Sequence, residues 1–311
     1  MKTNISLILI LCLLLGACKN GNASSQSKSE TPQDTIKAIK MPAIPQMMTA
    51  PEQRADFLAQ HYWDNVNFAD TNYIHHPEVT EQAWADYCDL LNHVPLETAQ
   101  QAMRNVIDRT NVDKKVFTYI TDLADKYLSD PNSPMRNEEF YIQVLEAMIA
   151  SPVLNETEKI RPQARLKLAQ KNRIGTKALN FTYTLASGAQ GSLYQLKAEY
   201  LLLFINNPGC QACTETIEGL KNAPIINQLL QEKKLVLLSI YPDEELDEWK
   251  KHLSEFPNEW INGYDKKFTI KEEQVYDLKA IPTLYLLDKD KTVLLKDATA
   301  PAIEAYLMQH Q

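Results

Sequence analysis

The chain has 311 residues, 44% of them hydrophobic and 23% charged, which is ordinary globular material and more than one compact domain usually needs. The formal net charge is −8, with lysines and arginines mixed among acids rather than gathered into a stripe, so the positive footprint that phosphate contacts require is missing and no nucleic-acid partner is expected. Five cysteines in this length exclude a small fold stapled by disulfides.

The N-terminus opens with Lys2 and an apolar run from Ile5 to Leu15, too short to span a bilayer comfortably, and ends that run in Leu15-Gly16-Ala17-Cys18. This ending resembles the lipobox of bacterial lipoproteins. The resemblance implies a signal peptide over 1–17 and a lipid on Cys18, against a plain secretory signal or a short uncleaved anchor. Lys19 follows, and no acidic run comes after it. By resemblance to known sorting patterns this implies the outer membrane, facing the periplasm. Cys12 then leaves with the signal peptide and Cys18 carries lipid. Cys88, Cys210 and Cys213 remain for redox chemistry, in a compartment that permits disulfides.

Residues 18–50 are rich in Asn, Ser, Gly, Lys, Gln and Pro, with Pro32, Pro42 and Pro45 interrupting any helix, and read as a flexible tether. Met47-Met48 within it reads as a docking contact rather than a metal site. Residues 51–175 read as an all-helical domain. Pro51 suits a first helical position, and Trp84, Tyr87, Cys88 and Leu91 share one face of a second helix. Further helices are predicted over Glu97–Arg109, about Val112–Tyr127, Glu138–Ala150 and about Glu156–Lys171, the last with Pro162 as a site for a kink. No fixed-period repeat is present, so a bundle is expected rather than a solenoid. Cys88 reads as a buried structural thiol, and His75-His76 as a loop before Pro77.

The pattern changes near Leu179, and residues 176–311 read as an α/β domain. Asn180–Leu185 alternates like a strand, Gly188 and Gly191 mark a turn, and Tyr200–Ile205 is a continuous apolar run, as in a strand buried on both faces. A helix starting at Cys210, a strand over Leu235–Ile240 and a helix over Glu244–Leu253 follow. Next come a short strand near Trp260, a helix near Lys271–Tyr276, strands over Thr283–Leu287 and Thr292–Lys296, and a closing helix over Ala300–Gln309. This is the element order of a mixed central sheet flanked by helices.

The chemistry concentrates in Asn206-Asn207-Pro208-Gly209-Cys210-Gln211-Ala212-Cys213, which follows the buried strand and opens a helix. Unpaired N–H groups and the positive dipole end at a helix start favour an anion, the condition for a reactive thiolate. Cys210 is then the nucleophile and Cys213 the resolving thiol. Zinc would want four ligands, and neither a second CxxC nor ligand spacing at His252 or His310 supplies them, so no metal is expected. Haem attachment would need His where Thr214 stands. A peroxidase would want Pro and Thr or Ser upstream of its cysteine at three-residue steps, and neither cysteine has them. A structural disulfide remains the open alternative.

Residues 179–311 resemble the thioredoxin-like domain of TlpA/ResA-type membrane-associated thiol–disulfide oxidoreductases. The carrying pieces are Asn180-Phe181-Thr182 with the Gly-containing hairpin, the strand into Cys210-Gln211-Ala212-Cys213, and Ile281-Pro282-Thr283-Leu284-Tyr285-Leu286-Leu287-Asp288. The resemblance implies a thioredoxin-like fold in which Pro282 is cis beside the pair, and in which the Ile281 backbone pairs with an extended substrate segment. Upstream, Ala59-Gln60-His61-Tyr62-Trp63-Asp64 and Asn67-Phe68 look like the helical domain of unknown function that precedes such domains in some Gram-negative lipoproteins. Three departures stand out. Pro208-Gly209 replaces the Trp usual before the first cysteine, the intervening dipeptide is Gln-Ala, and the buried carboxylate of the preceding strand is missing because Leu201–Phe204 are all apolar.

The resemblance therefore implies a membrane-tethered periplasmic thiol–disulfide oxidoreductase, with protein thiols or disulfides and a redox partner as its reactants and no cofactor. The departures motivate an alternative, a non-catalytic binding or redox-sensing lipoprotein whose helical domain docks a partner and whose CxxC disulfide is structural.

Overall fold

A computed structural model describes residues 38–310. The signal peptide, Cys18 and the first part of the tether lie outside the described residues. Residues 38–50 run along the helical region rather than away from it. Ile39 packs against the helical core, the Asn65 side chain donates to the Lys40 carbonyl at 2.9 Å, and Arg54 donates to the Met48 carbonyl at 3.3 Å. Packing therefore begins ahead of Pro51, because an apolar side chain and free carbonyls find partners on the first helix and the loop after it. Met47 is exposed.

Six helices follow: α1 (Pro51–His61), α2 (Pro77–Leu91), α3 (Leu96–Arg109), α4 (Lys114–Ala124), α5 (Glu138–Ala150) and α6 (Glu156–Ala169). Their starts are set by sequence. Pro stands at the first positions of α1 and α2, Asp113 caps α4, Asn137 caps α5, and Asn155 with Glu158 forms a capping box on α6. Pro162 lies in the second turn of α6 and does not end it. The last turn beyond α4 widens into a π-type turn over Asp125–Ser129, where the sequence pattern alone predicts an unbroken helix. α5 packs between α3 and α6, and an aromatic cluster of Tyr62, Trp63, Trp84 and Tyr87 fills the space between α1 and α2.

The second half is a seven-stranded mixed sheet with helices on its faces. Its elements are β1 (Thr182–Leu185), β2 (Gln190–Ser192), β3 (Tyr200–Ile205), α7 (Gln211–Lys221), α8 (Pro224–Gln231), β4 (Leu235–Tyr241), α9 (Leu246–His252), β5 (Ile261–Tyr264), α10 (Thr269–Glu272), β6 (Thr283–Asp288), β7 (Val293–Lys296) and α11 (Ala300–Gln309). The strand order is β2-β1-β5-β4-β3-β6-β7. β3 runs parallel to β4 and antiparallel to β6, as in a thioredoxin fold. Its residues alternate between two cores, as period two demands: Leu202 and Phe204 pack with α7, α8 and α11, while Leu201, Leu203 and Ile205 pack with Phe181, Tyr276 and Tyr285. The helical stretch after Cys210 divides in two because Pro224 opens a second helix.

The join between the halves is fastened rather than loose. Asn172 is buried with φ +51, donates to the Val275 carbonyl at 2.7 Å and accepts from the Leu179 N–H at 2.7 Å. Gly175, Thr176 and Ala178 then exchange backbone hydrogen bonds with Lys291 and Val293 along the edge of β7. Among the described residues no helix is long and apolar enough to cross a membrane.

Candidate redox site

The register of β3 and β6 builds the site. Ile205, the last residue of β3, pairs with Thr283, the first of β6. The loop leaving β3 and the loop entering β6 therefore meet at the same end of the sheet's strands. The first loop is Asn206–Cys210, and in it Pro208-Gly209 forms a turn with Gly209 at φ +71. The second ends in Ile281–Pro282, whose peptide bond is cis.

Cys210 is the N-cap of α7, with extended backbone angles, and its sulfur accepts from the Cys213 N–H at 3.4 Å. One unsatisfied amide of the first turn, that of Cys213, thus faces this sulfur. Cys210 is partly exposed, while Cys213 is buried at 2% exposure. Burial pushes the Cys213 thiol up to about 12, against the opposing pull of the Asn207 N–H, which approaches its sulfur at 3.5 Å. The Ile281 carbonyl oxygen lies 3.8 Å from Cys210 Sγ. One sulfur is reachable and faces an amide of the helix start; the other is enclosed and held as a thiol.

Cys210, Cys213, Ile281 and Pro282 therefore share one site. Asn207 stands in the sequence motif, but its contact with Asp243 is what sequence reasoning missed. Asn207 donates through Nδ2 to Asp243 at 3.0 Å, and Asp243 also receives Lys271 at 2.9 Å. With Pro208, Tyr241 and Glu244 these three line an open cleft of about 380 Å³ beside the cysteines. Nothing local in the sequence links Asn207 to Asp243, which follows the end of β4 where that strand runs parallel beside β3. Leu201–Phe204 are buried and apolar, so β3 offers no acid to Cys213.

The remaining candidates lie elsewhere. Cys88 is buried in the helical core, and burial pushes its thiol up. His76 contacts Glu78 at 3.1 Å, and His252 sits between Glu248 and Glu255 on α9 and the turn after it. Among the described residues no group of three or more His, Cys, Asp or Glu is arranged to hold a metal.

A thioredoxin-like fold with a dithiol at the start of its first flanking helix is the class that these features define. Residues 17–172 match a family model described as a domain of unknown function (DUF5106), and residues 198–293 match one described as thioredoxin-like. A thioredoxin-like protein from Bacteroides caccae, known from its crystal structure, has 83% sequence identity, and the match covers 89% of this chain and 100% of that one with a TM-score of 0.87. The C-terminal domain of an uncharacterized protein from Bacteroides fragilis has 69% identity over 44% of this chain and 98% of that one, with a TM-score of 0.44. A comparison with curated proteins returns no match. The chain belongs to the thioredoxin-like proteins that carry a DUF5106 domain ahead of the thioredoxin fold.

Proposed function

We propose that the protein is a thiol–disulfide oxidoreductase acting on protein thiols and disulfides through Cys210 and Cys213. The observation that carries this reading is the placement of Cys210 Sγ, which receives an amide of the α7 start at 3.4 Å and lies 3.8 Å from the Ile281 carbonyl. In the reducing direction the Cys210 thiolate attacks a client disulfide. The client S–S bond breaks, a Cys210–client disulfide forms, and the released client sulfur takes a proton. Cys213 then loses its proton and attacks Cys210 Sγ, which frees the second client thiol and leaves a Cys210–Cys213 disulfide. The client gains two electrons, and a dithiol reductant must return them to the pair. Run backwards with a disulfide donor, the same steps oxidise the client.

The same reading places the mature chain in the cell envelope. The Leu15-Gly16-Ala17-Cys18 ending supports a lipid anchor on Cys18, and the residues after it support the outer membrane facing the periplasm. There the dithiol works where disulfides form.

The test is the reduction potential of the pair in the chain from Ile36 to Gln311, the compact unit that contains both halves, by glutathione or dithiothreitol titration with alkylation. A value between about −120 and −270 mV is expected of a working exchange catalyst. A value below roughly −300 mV would mark a structural disulfide and give the protein over to the binding-module alternative.

A further inference from the structure

The helical domain touches the sheet domain at one place that leads into the redox site. The touching segment is the start of α5, from Arg136 through Asn137 to Glu138. Arg136 pairs with Oδ2 of Asp297, just past the end of β7, in a contact where the two side chains are only 17% and 11% exposed. The other oxygen of the same carboxylate, Oδ1, accepts from the Thr283 hydroxyl at 2.6 Å. Thr283 is the residue after Pro282, and the Ile281 carbonyl before it faces Cys210. Asp297 itself takes φ +51, in the left-handed region that Asp tolerates better than most residues.

A second grip comes from Glu138, two residues along. It pairs with Lys296 at 2.5 Å, and Lys279 of the loop entering β6 lies 3.8 Å away. Lys296 also donates to the Lys171 carbonyl at 2.8 Å. The segment 279–283 is thus approached from the other domain near both ends, at Lys279 by Glu138 of α5 and at Thr283 through Asp297, which Arg136 holds. The two contacts converge on the stretch that carries Ile281–Pro282, one on Lys279 two residues before it and one, through Asp297, on Thr283 directly after it.

We propose that Arg136 is a positioning residue for the redox site: acting through Asp297 and Thr283, it fixes the Ile281–Pro282 backbone against which an extended client segment lies. The inference rests on the oxidoreductase reading, and it gives the DUF5106 domain a part in client binding. Cys210 keeps the Cys213 amide whatever Arg136 does, so the sulfur chemistry should survive loss of the arginine while client binding weakens.

The experiment uses the full chain in detergent and reads the kinetics of insulin disulfide reduction with dithiothreitol as electron source. Arg136→Ala and Thr283→Val are compared with wild type, alongside the rate of Cys210 alkylation by iodoacetamide. The KM for insulin should rise about tenfold in each, the loss expected when a backbone pairing is misaligned, with kcat and the alkylation rate within about twofold. The double variant should show no further rise, because both changes cut one chain of contacts. Arg136→Lys should recover part of the affinity, since it keeps the charge and loses the planar fork. Thr283→Val preserves shape and leaves the Arg136–Asp297 pair in place, so it remains informative if Arg136→Ala fails to fold. An unchanged KM in Thr283→Val would overturn the inference. Additive losses in the double variant, or a fall in kcat and alkylation equal to the change in KM, would overturn it too. A wild-type protein that reduces no insulin would instead overturn the oxidoreductase reading first, and the positioning role with it.

Discussion

Cys210 Sγ and the carbonyl oxygen of Ile281 lie 3.8 Å apart, although 71 positions separate the two residues in the chain. The antiparallel pairing of β3 with β6 makes this contact, and it sets a partly exposed sulfur next to the loop backbone that enters β6. Cys210→Ser should therefore abolish disulfide exchange, because an alcohol does not replace a thiolate nucleophile. Cys213→Ser should leave the first attack intact and accumulate Cys210–client disulfides. Non-reducing gels followed by mass spectrometry read both outcomes. Residual turnover in Cys210→Ser would reverse the assigned roles.

The enclosed cysteine carries a pH signature. Its folded thiol is pushed up to about 12, first by burial and then by the neighbouring Cys210 sulfur, with the Asn207 N–H pulling the other way. In the unfolded chain the same thiol titrates at an ordinary value, roughly 8.5. The folded form thus keeps its proton longer, so this group's contribution to stability is fully present below the unfolded value and is lost as pH rises through it toward the folded one. With the protein reduced and native, iodoacetamide at neutral pH should label Cys210 and spare Cys213, and Cys213 labelling should climb only in strong alkali. Peptide mass spectrometry across a pH series measures this. Equal labelling of both at neutral pH would mean that the Cys213 site opens to water.

In the helical half, Trp84 is fully buried, its ring 6.2 Å from both Trp63 and Tyr87. Truncation leaves a cavity in a packed aromatic cluster, so Trp84→Ala should cost about 3–5 kcal/mol. Urea unfolding followed by circular dichroism gives the number. A cost under about 1 kcal/mol would show that the aromatic cluster relaxes into the gap.

Much of this was legible in the sequence, for identifiable reasons. Tyr200–Ile205 is apolar at every position because both faces of β3 meet a core, and Cys210 precedes a helix because Pro208-Gly209 ends the strand and turns the chain. The six helices show in their caps, prolines and apolar faces. What escaped is long-range and polar. Arg136 and Asp297 are 161 positions apart, and no periodicity connects a charged residue before a helix to one after a strand. Asn207 and Asp243 meet only because β3 and β4 are neighbours. The ordering of residues 38–50 escaped for a related reason, since a proline-rich segment is docked by its neighbours and not by its own propensities.

The turn before Cys210 explains why a bulky residue is absent there. Gly209 has φ +71, and a Cβ built on it would meet nothing within 4 Å. Space is therefore free, and the constraint is the backbone itself, which disfavours L side chains in the left-handed region by roughly 1–2 kcal/mol. Pro208 before it supplies the fixed φ that suits the preceding turn position, so the pair matches the residue order of a type II turn. Gly209→Ala and Gly209→Trp should then lose similar stability, about 1–2 kcal/mol each, since the cost lies in the main chain and not in side-chain size. Both should also slow alkylation of Cys210, because relaxing the turn shifts the residue that caps α7. Thermal unfolding and iodoacetamide kinetics on the two variants check this. A much larger loss for Trp than for Ala would point to a steric block, and no loss in either would show that the left-handed turn is dispensable to the site.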